Sequence, residues 1–205
     1  MDAPPTDART LTVAAARLRR WLDGFADRHG EVETTQGPFV VGLSAADGSR
    51  AWIDVPFPPL DGHVIEHVER SRRIGVLLVR RGGYGAGVFA GDRLVSSKVG
   101  TSYVQGATKA GGWSQQRFAR RRANQATAAF AAAADVAARI LLPDRLDALV
   151  VGGDKPAIEA VLDDPRLRRL RAQVAEPWLN VGDPRLRVVA ATPEQFLAVR
   201  ITIHP

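Results

Sequence analysis

The stretch KVGTSYVQGATKAGGWSQQRFARRRANQ, residues 98–125, decides how the rest of the chain is interpreted. Its first half is rich in glycine and poor in residues that could form a hydrophobic core. Its second half changes abruptly to helix-forming residues that include four arginines. The pattern predicts a loop that leads directly into a basic helix. Two glycines, a tryptophan, a serine and two glutamines lie at the junction.

The predicted helix has two different faces. With 3.6 residues per turn, one face has the basic positions Arg117, Arg120 and Arg121 together with Asn124. The apolar positions fall on roughly the opposite face, at Phe118, Ala119, Ala126, Phe130, Ala133, Ala137, Ile140 and Leu141. We expect the apolar face to pack on a core and the other to present guanidinium groups, which match phosphate geometry. A solvated charged face is an equally simple interpretation of the charge alone.

The flanking segments predict an α/β fold with a mixed sheet. Three strands precede the stretch, at Ile74–Arg80, Tyr84–Ala90 and Arg93–Val99, with turns at Gly82-Gly83 and Gly91-Asp92. A buried strand at Ala148–Val151 follows it and leads into a helix near Ala157–Leu162. Antiparallel strands in the first half and parallel strands in the second are therefore expected to share one sheet flanked by helices.

The ends of the chain predict further elements of a single domain. Residues 1–9 are expected to be disordered, and Thr10–Arg28 to form a helix that Gly30 ends. A hairpin is expected to turn at Asp47-Gly48. Near the C-terminus we expect a strand at Arg187–Ala190 and a helix from Thr192 to about Val199. Residues 10–205 are thus predicted to be one domain with an N-terminal helix and hairpin extension.

Composition restricts the class of partner and of chemistry. Among 205 residues, 28 Lys and Arg against 22 Asp and Glu give a formal net charge of +6, which favours a polyanion such as nucleic acid or a membrane surface. No apolar run approaches the length of a membrane span, and the N-terminus lacks a signal-peptide pattern. The absence of cysteine excludes disulfides, thiolate–zinc sites and thiol catalysis. We expect a cytoplasmic protein without a membrane partner.

The junction resembles a catalytic loop found in a known family. The segment Gly111-Gly112-Trp113-Ser114-Gln115-Gln116, followed by Arg-Phe-Ala-Arg, resembles the loop and helix of archaeal and eukaryotic peptide-chain release factors. Those proteins have Gly-Gly-Gln, and Trp113 stands where that glutamine would fall. The spacing Gly112-x-x-Gln115 is closer to the release-factor-like peptidyl-tRNA hydrolases of ribosome quality control. From about Ile74 onward, the chain is similar to the actinobacterial and chloroflexal branch of that group.

This resemblance implies a fold, a partner and a reaction. The implied fold is the RNase H-like α/β fold of the release-factor catalytic domain, a mixed sheet flanked by helices. The implied partners are the large ribosomal subunit, ribosomal RNA and peptidyl-tRNA, and we expect a monomer without cofactor or metal. The implied reaction is hydrolysis of the ester between a stalled nascent chain and the tRNA. Members of the eukaryotic branch instead cut the tRNA within its CCA end, which leaves the scissile bond open.

The residues at the junction suit ester hydrolysis. A glutamine amide donates and accepts hydrogen bonds, and it can therefore hold a water molecule in line with a carbonyl. Gln115 is the first candidate for this role and Gln116 the alternative, while Gly111 and Gly112 allow close approach of the backbone to RNA. The residues expected to contact RNA are Lys109, Trp113, Ser114, Arg117, Arg120 and Arg121. Trp113 could equally pack on the protein itself, and both glutamines could be ordinary first-turn residues of a non-catalytic RNA-binding module.

Three further patterns compete with this interpretation. His63, Glu66 and His67 fit the His-x-x-Glu-His pattern of inverted zinc proteases, but no third protein ligand is evident, and surface histidines are the preferred interpretation. Gly152-Gly153-Asp154-Lys155 follows a strand and could hold an anion, although a tight turn with Asp154 as N-cap is favoured. A second basic cluster is either an auxiliary RNA contact or a solubilising surface, and it comprises Arg166, Arg168, Arg169 and Arg171.

Overall fold

A computed structural model of the chain describes residues 8–101 and 113–205, with the backbone alone for residues 113–124. The strands in this part of the chain are β1 (Arg9–Ala14), β2 (Val32–Gln36), β3 (Val40–Ala45), β4 (Arg50–Asp54), β5 (Arg73–Arg80), β6 (Gly83–Ala90), β7 (Arg93–Thr101), β8 (Ala148–Gly153), β9 (Val174–Leu179) and β10 (Ala198–His204). The helices are α1 (Leu18–His29), α2 (Val64–Glu69), α3 (Trp113–Leu141), α4 (Lys155–Leu162), α5 (Arg168–Arg171), α6 (Leu186–Ala190) and α7 (Pro193–Phe196). None of these helices has the length and apolar character of a membrane span.

The chain forms two compact units. One unit comprises the chain up to Ser71 together with Pro193–Pro205, and the other comprises Arg72–Thr192. Each unit contains one five-stranded sheet built from described residues, so that two sheets are present where the sequence predicted one. The prediction of a single domain over residues 10–205 stays a prediction.

The first unit is built on an antiparallel sheet in the order β1-β10-β4-β3-β2. Alternate residues of β3 and β10, such as Val41 and Ile201, are fully buried and share a hydrophobic cluster with Leu18 and Phe25 of α1. This alternation follows from the two-residue period of a strand. The predicted hairpin turn is confirmed, and Gly48 there has a φ of 93°.

The predicted helix over Thr10–Arg28 is wrong in its first third. Residues 9–14 form β1, which pairs with β10 from Arg9↔Ile203 to Ala14↔Ala198. Helix α1 begins only at Leu18, and it ends at Gly30 as predicted, with φ 85°. The alanines at 14–16 favour a helix, but the residues before them include the β-branched Thr10, Thr12 and Val13, and these pair with a strand at the other end of the chain.

Two predictions near the C-terminus are also wrong. The segment predicted as a strand at Arg187–Ala190 lies in helix α6. The helix predicted from Thr192 to Val199 is reduced to the four residues of α7, after which β10 begins. Strand β9 was not predicted, because its sequence VAEPWL contains a proline and a glutamate.

The second unit contains the predicted mixed sheet, in the order β7-β6-β5-β8-β9. Strands β5, β6 and β7 are antiparallel neighbours, whereas β8 is parallel to both β5 and β9. The continuous apolar run from Ile74 to Val79 is buried throughout, as a central strand requires. Helices α3 and α4 cover one face of this sheet and α6 packs on β6 and β7. The mixed α/β class is confirmed, and the RNase H-like assignment stays a prediction.

The predicted apolar face of the basic helix is confirmed over the part of α3 with described side chains. Ala133, Ala137 and Leu141 are fully buried against the sheet, and Phe130 and Ile140 pack at the edge of the same cluster. Alanine at these positions lets the helix axis approach the strands closely. The helix also ends where predicted, just before Pro143.

Candidate functional site

The predicted loop departs from an edge of the mixed sheet where several strand ends meet. Thr101, the last residue of β7, pairs with Gly83 at the start of β6, and Gly83 pairs with Arg80 at the end of β5. Val79 in turn lies beside Gly153 at the end of β8. The carboxyl ends of β5, β7 and β8 therefore lie along one edge, and the chain continues from Thr101 into residues 102–112.

The predicted site residues lie in and just after that segment. Lys109, Gly111 and Gly112 are outside the described residues. Helix α3 begins at Trp113, so Gln115 and Gln116 are in its first turn. The predicted contacts of these residues, and those of Ser114, Arg117, Arg120 and Arg121, stay predictions, because their side chains also lie outside what the structure describes.

A crevice opens at the carboxyl ends of strands β5 and β8, along the same edge. Its volume is about 460 Å³, and its lining combines charged, aromatic and aliphatic side chains. The residues around it are Val79, Arg80 and Arg81 from the end of β5, Tyr84 from β6, Ala126, Ala129 and Phe130 from α3, Asp154, and Ala157 from α4. The middle of the predicted basic helix thus forms one wall of the crevice.

Hydrogen bonds and the close packing of a glycine hold the walls of the crevice together. The Arg80 guanidinium donates to the carbonyl oxygen of Val181 at 2.7 Å, and its Nε lies 3.8 Å from an Asp154 carboxylate oxygen. The Asp154 backbone N–H donates to the Val79 carbonyl at 2.8 Å. Gly153 has a φ of 96°, and a Cβ there would lie 2.2 Å from the Val79 carbonyl oxygen. Only glycine fits this close approach.

The chain matches a known family over the unit that contains this edge. Residues 72–202 match the family model described as the Actinobacteria/chloroflexi VLRF1 release factor. The chain belongs to this family. The matched span includes β5 to β9, the crevice and residues 98–125, and the resemblance noted in the sequence is confirmed. The first 71 residues precede the match.

The comparison with solved structures gives a match of low sequence identity. The crystal structure of the archaeal translation termination factor aRF1 aligns with a TM-score of 0.41 and 16% sequence identity, over 91% of this chain. The chain spans 63% of the length of that structure. Among curated proteins, none matches the chain.

In the described part of the chain, the histidines of the His-x-x-Glu-His pattern do not form a metal site. His63 is the N-cap of α2, and its Nδ1 accepts a hydrogen bond from the Ile65 N–H at 3.4 Å. The imidazole of His67 is buried: its Nδ1 accepts from the Asp61 N–H at 3.1 Å, and its Nε2 lies 2.9 Å from the Pro56 carbonyl oxygen. Among the residues with described positions, no group of three or more metal-binding side chains comes together. The prediction of surface histidines is therefore wrong for His67, whose imidazole stabilises the loop that contains Pro56 and Asp61.

The second basic cluster largely binds acceptors of its own fold. Arg166 forms ion pairs with Asp164 and with Asp135, at 2.7 and 2.8 Å. Hydrogen bonds from the Arg166 side chain and backbone lower the pKa of Asp164 to about 2, and those to both carboxylates raise the pKa of Arg166. Arg171 pairs with Asp163, and Arg169 donates to the carbonyl oxygen of Leu142, the residue after α3. This pairing favours a structural role for most of the cluster over an RNA contact.

Two glycine-rich segments have the structural roles that the sequence favoured. Gly83–Ala90 is strand β6, as predicted apart from its first residue. Strand β8 ends with Gly152-Gly153 and α4 begins at Lys155, so the connection is tight, with Asp154 at the N-cap position as predicted. Within the described structure, however, the Asp154 side chain makes no capping hydrogen bond to the helix. Its carboxylate instead faces the crevice beside Arg80.

The crevice and its two adjacent arginines were not predicted from the sequence. Arg80 and Arg81 directly follow the apolar run of β5, and ligands of α/β proteins bind at the carboxyl ends of such strands. The position of the two arginines at the end of a buried strand was therefore the signal that could have predicted a ligand site. The pairing of β5 with β8, which brings Arg80 to Asp154, involves residues about 70 positions apart and has no local signature.

Proposed function

We propose that this protein is a ribosome-associated release factor that hydrolyses the ester between a nascent peptide and its tRNA. The observation that supports the proposal is the family match over residues 72–202, since the glycine-rich junction and the basic helix lie inside the matched span. The junction has two glycines followed by Gln115, whose amide suits the positioning of water.

The chemistry needs a positioned water more than a strong base, because an acyl ester is already activated. Gln115 would hold the water in line with the ester carbonyl, and a backbone N–H at the start of α3 would stabilise the developing oxyanion. Orientation of this kind supplies up to roughly 7–11 kcal/mol in the best model reactions. Gln116 is the alternative for the same role.

The described part of the structure suits a protein that inserts the glycine-rich junction before α3 into a narrow binding site. Ala126 of α3 lines the crevice, and the helix continues for 13 residues on its N-terminal side. At 1.5 Å per residue, this extension is about 20 Å long. It has Arg117, Arg120 and Arg121 at positions that share one helix face, where guanidinium groups would bind phosphates of ribosomal RNA or tRNA. Affinity for the ribosome would accordingly fall as the salt concentration rises.

The test compares two glutamine variants in a peptide-release assay on stalled ribosomes. Gln115→Ala is expected to slow release by about 100-fold or more, because the water loses its positioning group. Gln116→Ala, the matched control at the next position, is expected to retain most activity, and both variants should cosediment with ribosomes as the wild type does. If both variants release peptide at the wild-type rate, the proposed mechanism is wrong. Ribosome binding without any release by the wild type would favour a non-catalytic module.

A further inference from the structure

The crevice lies at the carboxyl ends of the parallel neighbours β5 and β8. In α/β proteins, ligands bind outside the carboxyl ends of such strands. The volume of about 460 Å³ falls within the roughly 300–1,000 Å³ typical of small-ligand pockets.

The lining of the crevice combines apolar and charged side chains. Its apolar side comprises Ala126, Ala129 and Phe130 of α3, with Ala157 of α4. Its charged groups include the guanidinium of Arg80 and the carboxylate of Asp154, whose side chains are 40% and 44% exposed. Their nearest approach is 3.8 Å, longer than a direct hydrogen bond, so the pair leaves donor and acceptor capacity for a ligand.

These two kinds of side chain together select a class of ligand. A wholly apolar ligand would cover the half-exposed side chains of Arg80 and Asp154 without offering either of them a hydrogen bond. A small inorganic anion would meet the Asp154 carboxylate and leave the apolar side empty. A ribonucleotide has a flat base for the apolar side, ribose hydroxyls that donate to a carboxylate, and a phosphate for an arginine.

We propose that the crevice at the carboxyl ends of β5 and β8 binds a single ribonucleotide. Its base lies against Ala129 and Phe130, its ribose hydroxyls donate to Asp154, and its phosphate accepts from Arg80. We favour an unpaired nucleotide of an RNA chain as the source of this ribonucleotide. Only this choice of source rests on the proposed function at the ribosome. The site would fix the protein on RNA about 20 Å from the first turn of α3.

The test measures binding of a single-stranded RNA trinucleotide by ligand-observed NMR, with Ala129→Phe as the blocking variant. Ala129 lines the crevice, and a phenyl group there fills the apolar side. Ala128→Phe is the matched control, since Ala128 is an exposed neighbour on the same helix that does not line the crevice. We expect at least a tenfold loss of affinity for Ala129→Phe and less than a twofold change for Ala128→Phe. Equal affinities of the two variants would overturn the proposal.

A second pair of variants tests the ribose contact. Asp154→Ala is expected to remove the preference for the RNA trinucleotide over DNA of the same sequence. Asp92→Ala, which changes the same charge at the turn before β7, should leave that preference intact. Persistence of the full RNA preference in Asp154→Ala would contradict the assignment. Binding of adenosine 5′-monophosphate as tight as that of the trinucleotide, and lost in Ala129→Phe, would support the site and identify free nucleotides as its source.

These measurements use the full chain without ribosomes, and their outcome is therefore separate from that of the release assay. An inactive Gln115→Ala variant that still binds the trinucleotide would support both proposals. Loss of trinucleotide binding in Ala129→Phe with normal peptide release would support the nucleotide site and show that release does not need it. A wild-type protein that releases peptide but binds no nucleotide would overturn the crevice proposal alone.

Discussion

Replacement of Gly153 by alanine tests the close approach that forms the crevice. Gly153 has a φ of 96°, a conformation that costs an L-residue about 1–2 kcal/mol. A Cβ at this position would also lie 2.2 Å from the Val79 carbonyl oxygen, the atom that accepts from the Asp154 N–H. Displacing that strand adds about 1–3 kcal/mol, as overpacking does elsewhere. Together these terms predict a loss of roughly 2–5 kcal/mol in unfolding free energy.

Gly48→Ala separates the two contributions. Gly48 has a φ of 93°, nearly the same as Gly153, but a Cβ there meets no atom within 4 Å. It should therefore show the conformational cost alone, while Gly182→Ala, which has neither a positive φ nor a close neighbour, should be nearly neutral. Urea denaturation of the three variants gives the unfolding free energies. We expect Gly153→Ala to be destabilised by about 1–3 kcal/mol more than Gly48→Ala. Equal losses would refute the steric part of the reasoning.

Two further predictions concern the loop and surface contacts. His67→Phe leaves the Asp61 N–H and the Pro56 carbonyl without their imidazole partner. Thermal unfolding should therefore show a loss of roughly 1–3 kcal/mol in unfolding free energy, with partial recovery in His67→Gln. An unfolding free energy of His67→Phe equal to that of the wild type would contradict this prediction. The lowered pKa of Asp164 means that the ion pair with Arg166 stabilises the fold above pH 3.8 and that this stability is lost as the pH falls towards about 2. Asp164→Asn should accordingly unfold at lower urea concentration than wild type at pH 6 but not at pH 2.

Much of the second unit could be predicted from local sequence. The unbroken apolar run of β5, the turn glycines on either side of β6 and the alanine stripe of α3 each have one simple interpretation, and the structure confirms them. These elements meet their neighbours through contacts between consecutive segments, as the pairing of β5, β6 and β7 shows. Local patterns are sufficient where partners are close in sequence.

The errors fall where distant segments meet. β1 was mistaken for a helix because its partner β10 lies at the other end of the chain. The β-branched residues of α6 favour a strand, but Val189 packs within about 3 Å of where Gly85 and Gly87 would have their Cβ atoms, and glycine there makes room for a helix. The crevice depends in the same way on β5 meeting β8. The candidate glutamines were found only through their resemblance to a family, since a polar residue in the first turn of a helix has no specific signature.

The central claim is that the junction at Gln115 directs water to the ester of peptidyl-tRNA. The most direct measurement is incubation of the protein with ribosomes that hold peptidyl-tRNA labelled on both peptide and tRNA, followed by separation of the products. The account predicts free peptide together with tRNA that keeps an intact 3′ end. Peptide still joined to a nucleotide fragment would mean that the tRNA itself is cut, and would contradict ester hydrolysis.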